Sequence, residues 1–531
     1  MGAAPVGERR VQFGQPAGRW VLLATVLGSG IAMLDATVVN VALRRIGADL
    51  DADLGGLQWT LNGYTLTLAA FILLGGSLSD RFGRRRLFIV GTAWFAIASA
   101  LCGLAPNIEF LVAARALQGI GGALLTPGSL AIISASFEPA DRARAIGAWS
   151  GLGGLGGALG PFVGGWLIEV WSWRLVFLVN LPVAAAVIVV AWKHVPESYD
   201  PTASHRLDVA GAALGALGLA GITYASIAAG RDAASASTLL TGAAGVLALA
   251  GFVVVERRSS HPLLPTGLFA SRQFTAANLV TFAAYAALGA VFFLLVLDLQ
   301  VVAGFSALAA GAALLPTTLI MLALSARSGA LAQRLGPRLQ MTVGPLISAA
   351  GLLLTLRIDA GASYLRDVLP AVVLFGLGLA TMVAPLTAAV LAAAPPEHAG
   401  IASGVNNAVA RAAGLLAVAL IPTLAGLSGA DYQSAAAYGA GYDTAILIAA
   451  GLLVTGGLLS ATLIRNELPD THAEAGPPAA GTDEETARTA GPAALDGPAA
   501  EVAAGTRLAH CFSCPLEGPR LETVQPPRGR S

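Results

Sequence analysis

Charge is scarce in this sequence. Only 12% of its 531 residues are charged, about half of what a soluble globular chain carries. That composition excludes disorder over most of the length. Lys+Arg and Asp+Glu number 31 each, so there is none of the basic excess that nucleic-acid binding requires. Cysteine is scarcer still: three residues cannot frame a disulfide scaffold, and they do not identify a redox compartment. No G-x-x-x-x-G-K-[ST] loop occurs, so energy is expected from an ion gradient and not from a nucleotide. The six His and three Cys do not cluster in the apolar stretches, which leaves an intramembrane enzyme without its chemistry. What the chain has in abundance is apolar residues, 56%, and glycine, 64 residues; membrane helices tolerate both.

A spanning helix needs about 20 mainly apolar residues. Such runs lie near 21–43, 57–76, 87–105, 110–135, 145–168, 175–192, 209–229 and 237–255, then 275–297, 307–326, 340–357, 368–393, 402–426 and 443–464. The expected fold is an all-α membrane protein with fourteen spans. Charge placement gives an orientation. Alternate connecting segments, beginning with Arg9, Arg10 and Arg19, then Arg81, Arg84, Arg85 and Arg86, and ending at Arg465, carry eighteen Lys and Arg. The segments between them carry six: Arg44, Arg45, Arg174, Arg231, Arg357 and Arg366. The positive-inside rule then puts both termini in the cytoplasm, at the plasma (inner) membrane. The first run is too long for a cleavable signal and contains Asp35. Residues 465–531 turn polar and rich in Ala, Gly, Pro, Glu and Asp and read as a disordered cytoplasmic tail. The tail's His510, Cys511 and Cys514 lack a fourth ligand, so no metal site is expected.

An internal repeat subdivides the spans. Gly76, Leu78, Arg81, Gly83 and Arg85 recur as Gly329, Leu331, Arg334, Gly336 and Arg338, and Ser150-Gly151 recurs as Ser403-Gly404. The expected organisation is a cytoplasmic N-terminus (1–19), a six-helix half (20–193), a linker with two extra spans (194–273), a second half (274–464) and the tail. Parallel halves related by an axis along the membrane normal are a transporter design, with the substrate between them near the midplane. The repeat breaks at Asp80, where the second half has Gln333.

Five places stand out as candidate sites. Asp35 interrupts an apolar span at an insertion cost of about 2.5–3.5 kcal/mol, which makes it a functional candidate or a structural acid with a buried partner. Thr25, Gly28, Ser29, Ala32, Asp35, Ala36 and Asn40 share a helix face, expected to line a cavity. Arg115 and Gln118, three residues apart, share a face of the fourth span. Burial disfavours a carboxylate's charge and a nearby Arg favours it, so a change in the Asp35–Arg115 separation would load or release a proton. The alternative for Arg115 is a structural side chain snorkelling outward. In the 76–87 segment, Gly76 and Gly83 suit a tight turn with close backbone approach, around Asp80, Arg81, Arg84 and Arg85. The fifth span holds nine glycines between Gly147 and Gly165, with Pro161, and reads as a close-packed, bendable helix. Asp298, at the outer end of the ninth span, reads as a solvated helix end, with a second proton or cation site as the alternative.

Several of these segments resemble the major facilitator superfamily, over roughly residues 20–464. GSLSDRFGRRRL (76–87) resembles its loop motif, which implies a cytoplasmic gate built on Gly76, Asp80, Arg81, Gly83, Arg84 and Arg85. The L-x-x-x-R-x-x-Q-G pattern around Arg115 and Gln118 resembles its fourth-helix motif, implying proton coupling. GGALGPFVGG resembles its antiporter motif, through Gly156, Gly160, Pro161, Gly164 and Gly165. LDATVVNVAL (34–43), LQWTLNGYTLTLAAF (57–71), WRLVFLVNLP (173–182) and GIASGVNNAVARAAG (400–414) are similar to segments of its fourteen-span drug:proton antiporters. Arg44 departs from a common Pro, and Gln333 from the second-half loop.

The resemblance implies an exporter of amphipathic drugs or antibiotics, working by alternating access as a functional monomer. It would have no cofactor beyond the proton gradient, and its partners would be the small-molecule substrate, protons and lipid. Asp35 and Arg115 would couple the proton. Asn40, Tyr64, Gln118, Tyr285, Phe292, Asn406, Asn407 and Arg411 are the candidate cavity residues. A nutrient symporter, and a membrane sensor with vestigial transport, are the alternatives.

Overall fold

A computed structural model describes residues 11–199, 208–259, 264–394 and 399–466. The expected tail, with His510, Cys511 and Cys514, lies outside the described residues beyond 466. Regular structure among the described residues is helical, apart from a single backbone bridge between Val11 and Phe137. The first half contains α1 (Pro16–Asp49), α2 (Leu54–Phe82), α3 (Arg84–Gly103), α4 (Ile108–Ser136), α5 (Pro139–Val170) and α6 (Arg174–His194). A hairpin follows, α7 (Val209–Asp232) and α8 (Ala236–Arg258). The second half contains α9 (Arg272–Val301), α10 (Ala307–Leu335), α11 (Arg338–Thr355), α12 (Tyr364–Ala392), α13 (Ala399–Leu424) and α14 (Ala435–Leu463).

Among the described residues twelve helices are long and apolar enough to cross a membrane. The two outside that count are α5, whose apolar stretch is Leu159–Val170, and the 18-residue α11. The connections are short, and their chemistry sets the helix ends. Asp53, Asn107, Ser235 and Ser271 each accept a hydrogen bond from the N–H three residues on. Gly83 and Gly336 end α2 and α10 at φ of 106° and 80°, a conformation that only glycine adopts cheaply. These two glycines are equivalent positions of the sequence repeat.

Glycine also sets the packing. On α5, Gly156, Gly160 and Gly164 recur every four residues and lie against Gly30, Leu34 and Val38, which recur likewise on α1. A Cβ on Gly156 or Gly160 would stand 3.0 Å from the facing carbonyl oxygen, so the two backbones touch. Pro161 and Gly165 turn the other way and meet α10 of the second half at Gly311 and Leu308.

Three buried apolar clusters show how the halves join. One holds residues of both halves at the end away from the N-terminus, including Leu43, Ile46, Leu54, Leu297, Tyr438 and Tyr442. At the opposite end each half has its own, around Phe88 and Ile132 in the first and around Phe274 and Val405 in the second. The halves are fused at one end and separate at the other.

Hydrogen bonds between the halves follow the same division. Arg44 donates to the Gln300 carbonyl (2.6 Å), Gln300 Nε2 to the Val41 carbonyl (3.2 Å) and Gln58 to the Val418 carbonyl (2.7 Å). Leu54 N–H donates to the Gly429 carbonyl at 2.7 Å, and Tyr432 to Ala52 at 2.6 Å. The hairpin docks on this seam, where Thr423 of α13 donates to the Ser226 carbonyl of α7 (2.9 Å) and Arg231 pairs with Asp53.

Candidate functional site

Asp35 lies at the centre of the first half and has no solvent exposure. One carboxylate oxygen, Oδ2, accepts from Arg115 Nη1 at 2.5 Å; the other accepts from Gln118 Nε2 (2.8 Å) and Asn180 Nδ2 (3.1 Å). Gln118 returns its own carbonyl oxygen to Arg115 (2.6 Å), and Arg115 Nε donates to the Thr60 carbonyl (3.0 Å). The guanidinium also lies over the Tyr64 ring, 4.4 Å from its centre. Ser99 closes the network by accepting from Gln118 and Asn180. Five helices, α1, α2, α3, α4 and α6, thus converge on one carboxylate.

This geometry decides between two readings. Arg115 does not snorkel: it is 1% exposed and turned inward onto α1. The three-residue spacing of Arg115 and Gln118 does put both on one face, and that face binds Asp35. Ser99, Asn180 and the Thr60 carbonyl were not legible as members. Ser99 and Asn180 are ordinary polar residues in apolar spans, and a carbonyl leaves no mark in a sequence.

The polar face of α1 requires a correction. Thr25, Gly28, Ser29 and Asp35 do not line a cavity; they are buried inside the half, Gly28 under Phe88 and Ser29 under Trp149, whose Nε1 donates to it at 3.0 Å. Small and polar residues here let α3 and α5 approach closely. The cavity begins one strip further round, at Ala36, Thr37, Asn40 and Val41.

That cavity lies between the halves, with a volume of about 490 Å³. Of the candidates, Asn40, Tyr285, Phe292 and Arg411 line it, and Pro161 and Gly157 of α5 join them. Tyr64 and Gln118 belong to the Asp35 network, one helix layer away. Asn406 is not among the lining residues and accepts from Thr281 (2.9 Å); Asn407 is exposed and bonds back to the Ser403 carbonyl. Asn62, Thr65 and Thr318 are lining polar residues that sequence reading missed.

At the far end of α2, Arg84 binds Asp80 through two nitrogens (2.9 and 2.8 Å). Glu197, just beyond α6, accepts from the Arg85 N–H (3.0 Å) and faces the Arg85 and Arg86 guanidiniums at 3.6 and 3.7 Å. Arg81 rests over the Phe82 ring. Gly83 makes the expected turn, and a Cβ there would stand 2.8 Å from the Glu197 carboxylate. Gly76 does not: it is inside α2, and the close approach to the Ala123 carbonyl of α4 belongs to Gly75. The second half repeats the pattern without charge, for Asn466 beyond α14 accepts from the Arg338 N–H at 3.1 Å.

Asp298 is the clearest misreading. It is 1% exposed, not solvated, and its Oδ2 has no hydrogen-bond partner. Hydropathy placed it at a helix end, but α14 covers that end with Tyr438 and Tyr442, whose hydroxyls donate to the Leu294 carbonyl and to Thr355.

Comparison with known proteins accords with this architecture. The puromycin resistance protein of Streptomyces alboniger is 36% identical over 88% of this chain and 96% of its own length. The tetracenomycin C resistance and export protein of Streptomyces glaucescens is 36% identical over 76% of this chain and 75% of its own. Among solved structures, an inward-facing, occupied bacterial homologue of the human lysosomal transporter Spinster superposes with a TM-score of 0.60, at 16% identity, over 84% of this chain and 97% of that one. A peptide transporter POT in complex with sulfate superposes at 0.61 with 18% identity, over 85% and 95%. The profile of the Major Facilitator Superfamily matches residues 25–418. The chain therefore belongs to the major facilitator superfamily and is a multi-pass membrane transporter, not an enzyme.

Proposed function

We propose that this transporter exports amphipathic drugs or antibiotics in exchange for protons, crossing the plasma membrane fourteen times with both termini in the cytoplasm. The fourteen include α5 and α11, which pack in the bundle as the other helices do. Relatives named for antibiotic resistance and export support the cargo, and the positive-inside distribution supports the orientation. The cavity would then open toward the cytoplasm, because the halves are fused at the opposite end. No cofactor is needed beyond the gradient, and the chain works as a monomer between substrate, protons and lipid.

One observation carries the coupling: α1 presents Asp35 to Arg115 inside the half, Asn40 to the cavity, and Val41 and Arg44 to Gln300 across the seam. These positions lie within three turns of a single helix. A proton on Asp35 cancels the charge that holds Arg115, so α1 and α4 loosen; movement of α1 then reaches both the cavity wall and the outer seam. Close glycine packing lets α5 follow α1 while Pro161 and Gly165 hold α10. Import by symport finds no comparable support among the named relatives, and a sensor has no need of a cavity.

The test is export driven by an imposed proton gradient in proteoliposomes, with a panel of anionic, neutral and cationic amphiphilic drugs as cargo. Wild type should accumulate cargo and release the gradient. Asp35→Asn leaves Arg115 without its counter-charge and should be less stable; in the fraction that folds, gradient-driven transport should be lost while cargo binding persists. A variant that still couples normally would sink the mechanism.

A further inference from the structure

The central cavity contains a charge with no counter-charge. Arg411 enters it from α13, on the face that also presents Gly414, Leu415 and Val418. Its Nε is buried without a hydrogen-bond partner, and no ion pair to it occurs among the described residues. None of the described residues lining the cavity is Asp or Glu. Among the described residues, the ionisable groups within electrostatic reach of Arg411 are two phenols, Tyr64 on α2 and Tyr285 on α9. The Asp35 carboxylate is already engaged by Arg115.

The position of Arg411 is fixed by packing. Gly289 of α9 and Gly414 of α13 meet so closely that a Cβ on Gly289 would stand 2.6 Å from the Gly414 Cα. That contact holds the Arg411 helix against the Tyr285 helix. Around the guanidinium the wall is mostly apolar, with Leu288, Phe292, Val296 and Leu314, while Asn40 and Asn62 face it from the first half. A desolvated guanidinium is costly alone, and its planar fork matches a carboxylate, sulfonate or phosphate. A cationic amphiphile would meet repulsion here with no acid to offset it.

We propose that Arg411 anchors the cargo and that the transported class is amphiphiles bearing one acidic group, the acid on Arg411 and the apolar body along Phe292 and Leu314. The amides of Asn40 and Asn62 add neutral hydrogen bonds that orient such a molecule without choosing its charge. The inference rests on the exporter reading and refines its substrate.

The test is equilibrium binding, with no gradient, of two xanthene dyes of similar skeleton and opposite charge: anionic fluorescein and cationic rhodamine 123. Fluorescence polarisation on the full chain in nanodiscs reads both. Wild type should bind fluorescein at least about tenfold more tightly. Arg411→Gln should remove that preference, Arg411→Lys should keep part of it, and Leu420→Ala, on the exposed side of the same helix, should leave it unchanged. Equal or tighter binding of rhodamine 123 by wild type, or no fluorescein binding, overturns the proposal, as does unchanged selectivity in folded Arg411→Gln. Wild-type selectivity decides the matter even if that variant misfolds. Because no gradient is present, failure here leaves proton-driven export standing, and failure of Asp35→Asn leaves this assignment standing.

Discussion

The two halves share a backbone plan and bury charge in opposite ways. In the first, Asp35 and Arg115 engage each other, two amides and a backbone carbonyl. In the second, Asp298 is buried with its Oδ2 unpartnered, and Arg411 stands half-buried on the cavity wall with its Nε unpartnered. The repeated loops differ in the same sense: Asp80 and Glu197 in the first half stand where Gln333 and Asn466 stand in the second. A satisfied pair changes state only when a proton or a helix movement breaks it, which suits coupling. An unsatisfied charge is available to whatever enters, which suits recognition. Duplication supplied one scaffold, and the placement of charge separated its two duties.

The severest way to break the comparison is to strip the first half of its pairing. Arg115→Met leaves Asp35 buried with its strongest partner gone, and removal of one member of a buried pair costs about 3–5 kcal/mol. Asp35→Asn in the same background should recover most of that loss, since two neutral groups then fill the site. Thermal unfolding of both variants in detergent reads the difference. A double variant no more stable than Arg115→Met would show that the network is not built around the ion pair.

The opposite sign is expected in the second half. Asp298→Asn removes a carboxylate that neither Tyr438 nor Tyr442 can serve, because both hydroxyls donate elsewhere. Asp443 and Asp359 are within electrostatic reach and repel its charge. The substitution leaves a polar group in place but removes its charge, and should stabilise modestly, by about 1 kcal/mol. Measured at pH 8 beside Arg115→Met, it should move the unfolding midpoint upward. A fall would mean that Asp298 holds a partner the free transporter needs.

How much of this was legible in the sequence follows from what periodicity records. Helix positions, the repeat and the shared face of Arg115 and Gln118 depend on spacing along one chain, and spacing is visible; that this face turns inward is not. Gly83 was readable because a positive φ selects glycine, and Gly336 at the repeat offset does the same. Gly76 and Gly75 could not be told apart, since only the position of Ala123 on α4 decides which one packs. Asp298 was misplaced for the same reason: exposure at a helix end depends on what α14 lays over it. Which strip of α1 is buried and which faces the cavity was equally out of reach. Both strips are small and polar, and the distinction belongs to Asn180, Phe88 and Trp149 on other helices.

The finest test sharpens the join between the halves. Gln300 ties α9 to α1 by one side-chain bond to the Val41 carbonyl, while its own carbonyl accepts from Arg44. Gln300→Leu deletes the first and spares the second. An interhelical hydrogen bond within a membrane protein averages about 0.6 kcal/mol, so the fused end should open about two- to threefold more often. Modification of a cysteine introduced by Asn40→Cys, with a membrane-impermeant maleimide added from the side away from the N-terminus, should quicken by that factor. Reagent added from the other side should react correspondingly less. Rates unmoved on both sides would place the closure in the apolar cluster and the Pro161–Gly311 contact, and would leave α1 without a direct hold on the seam.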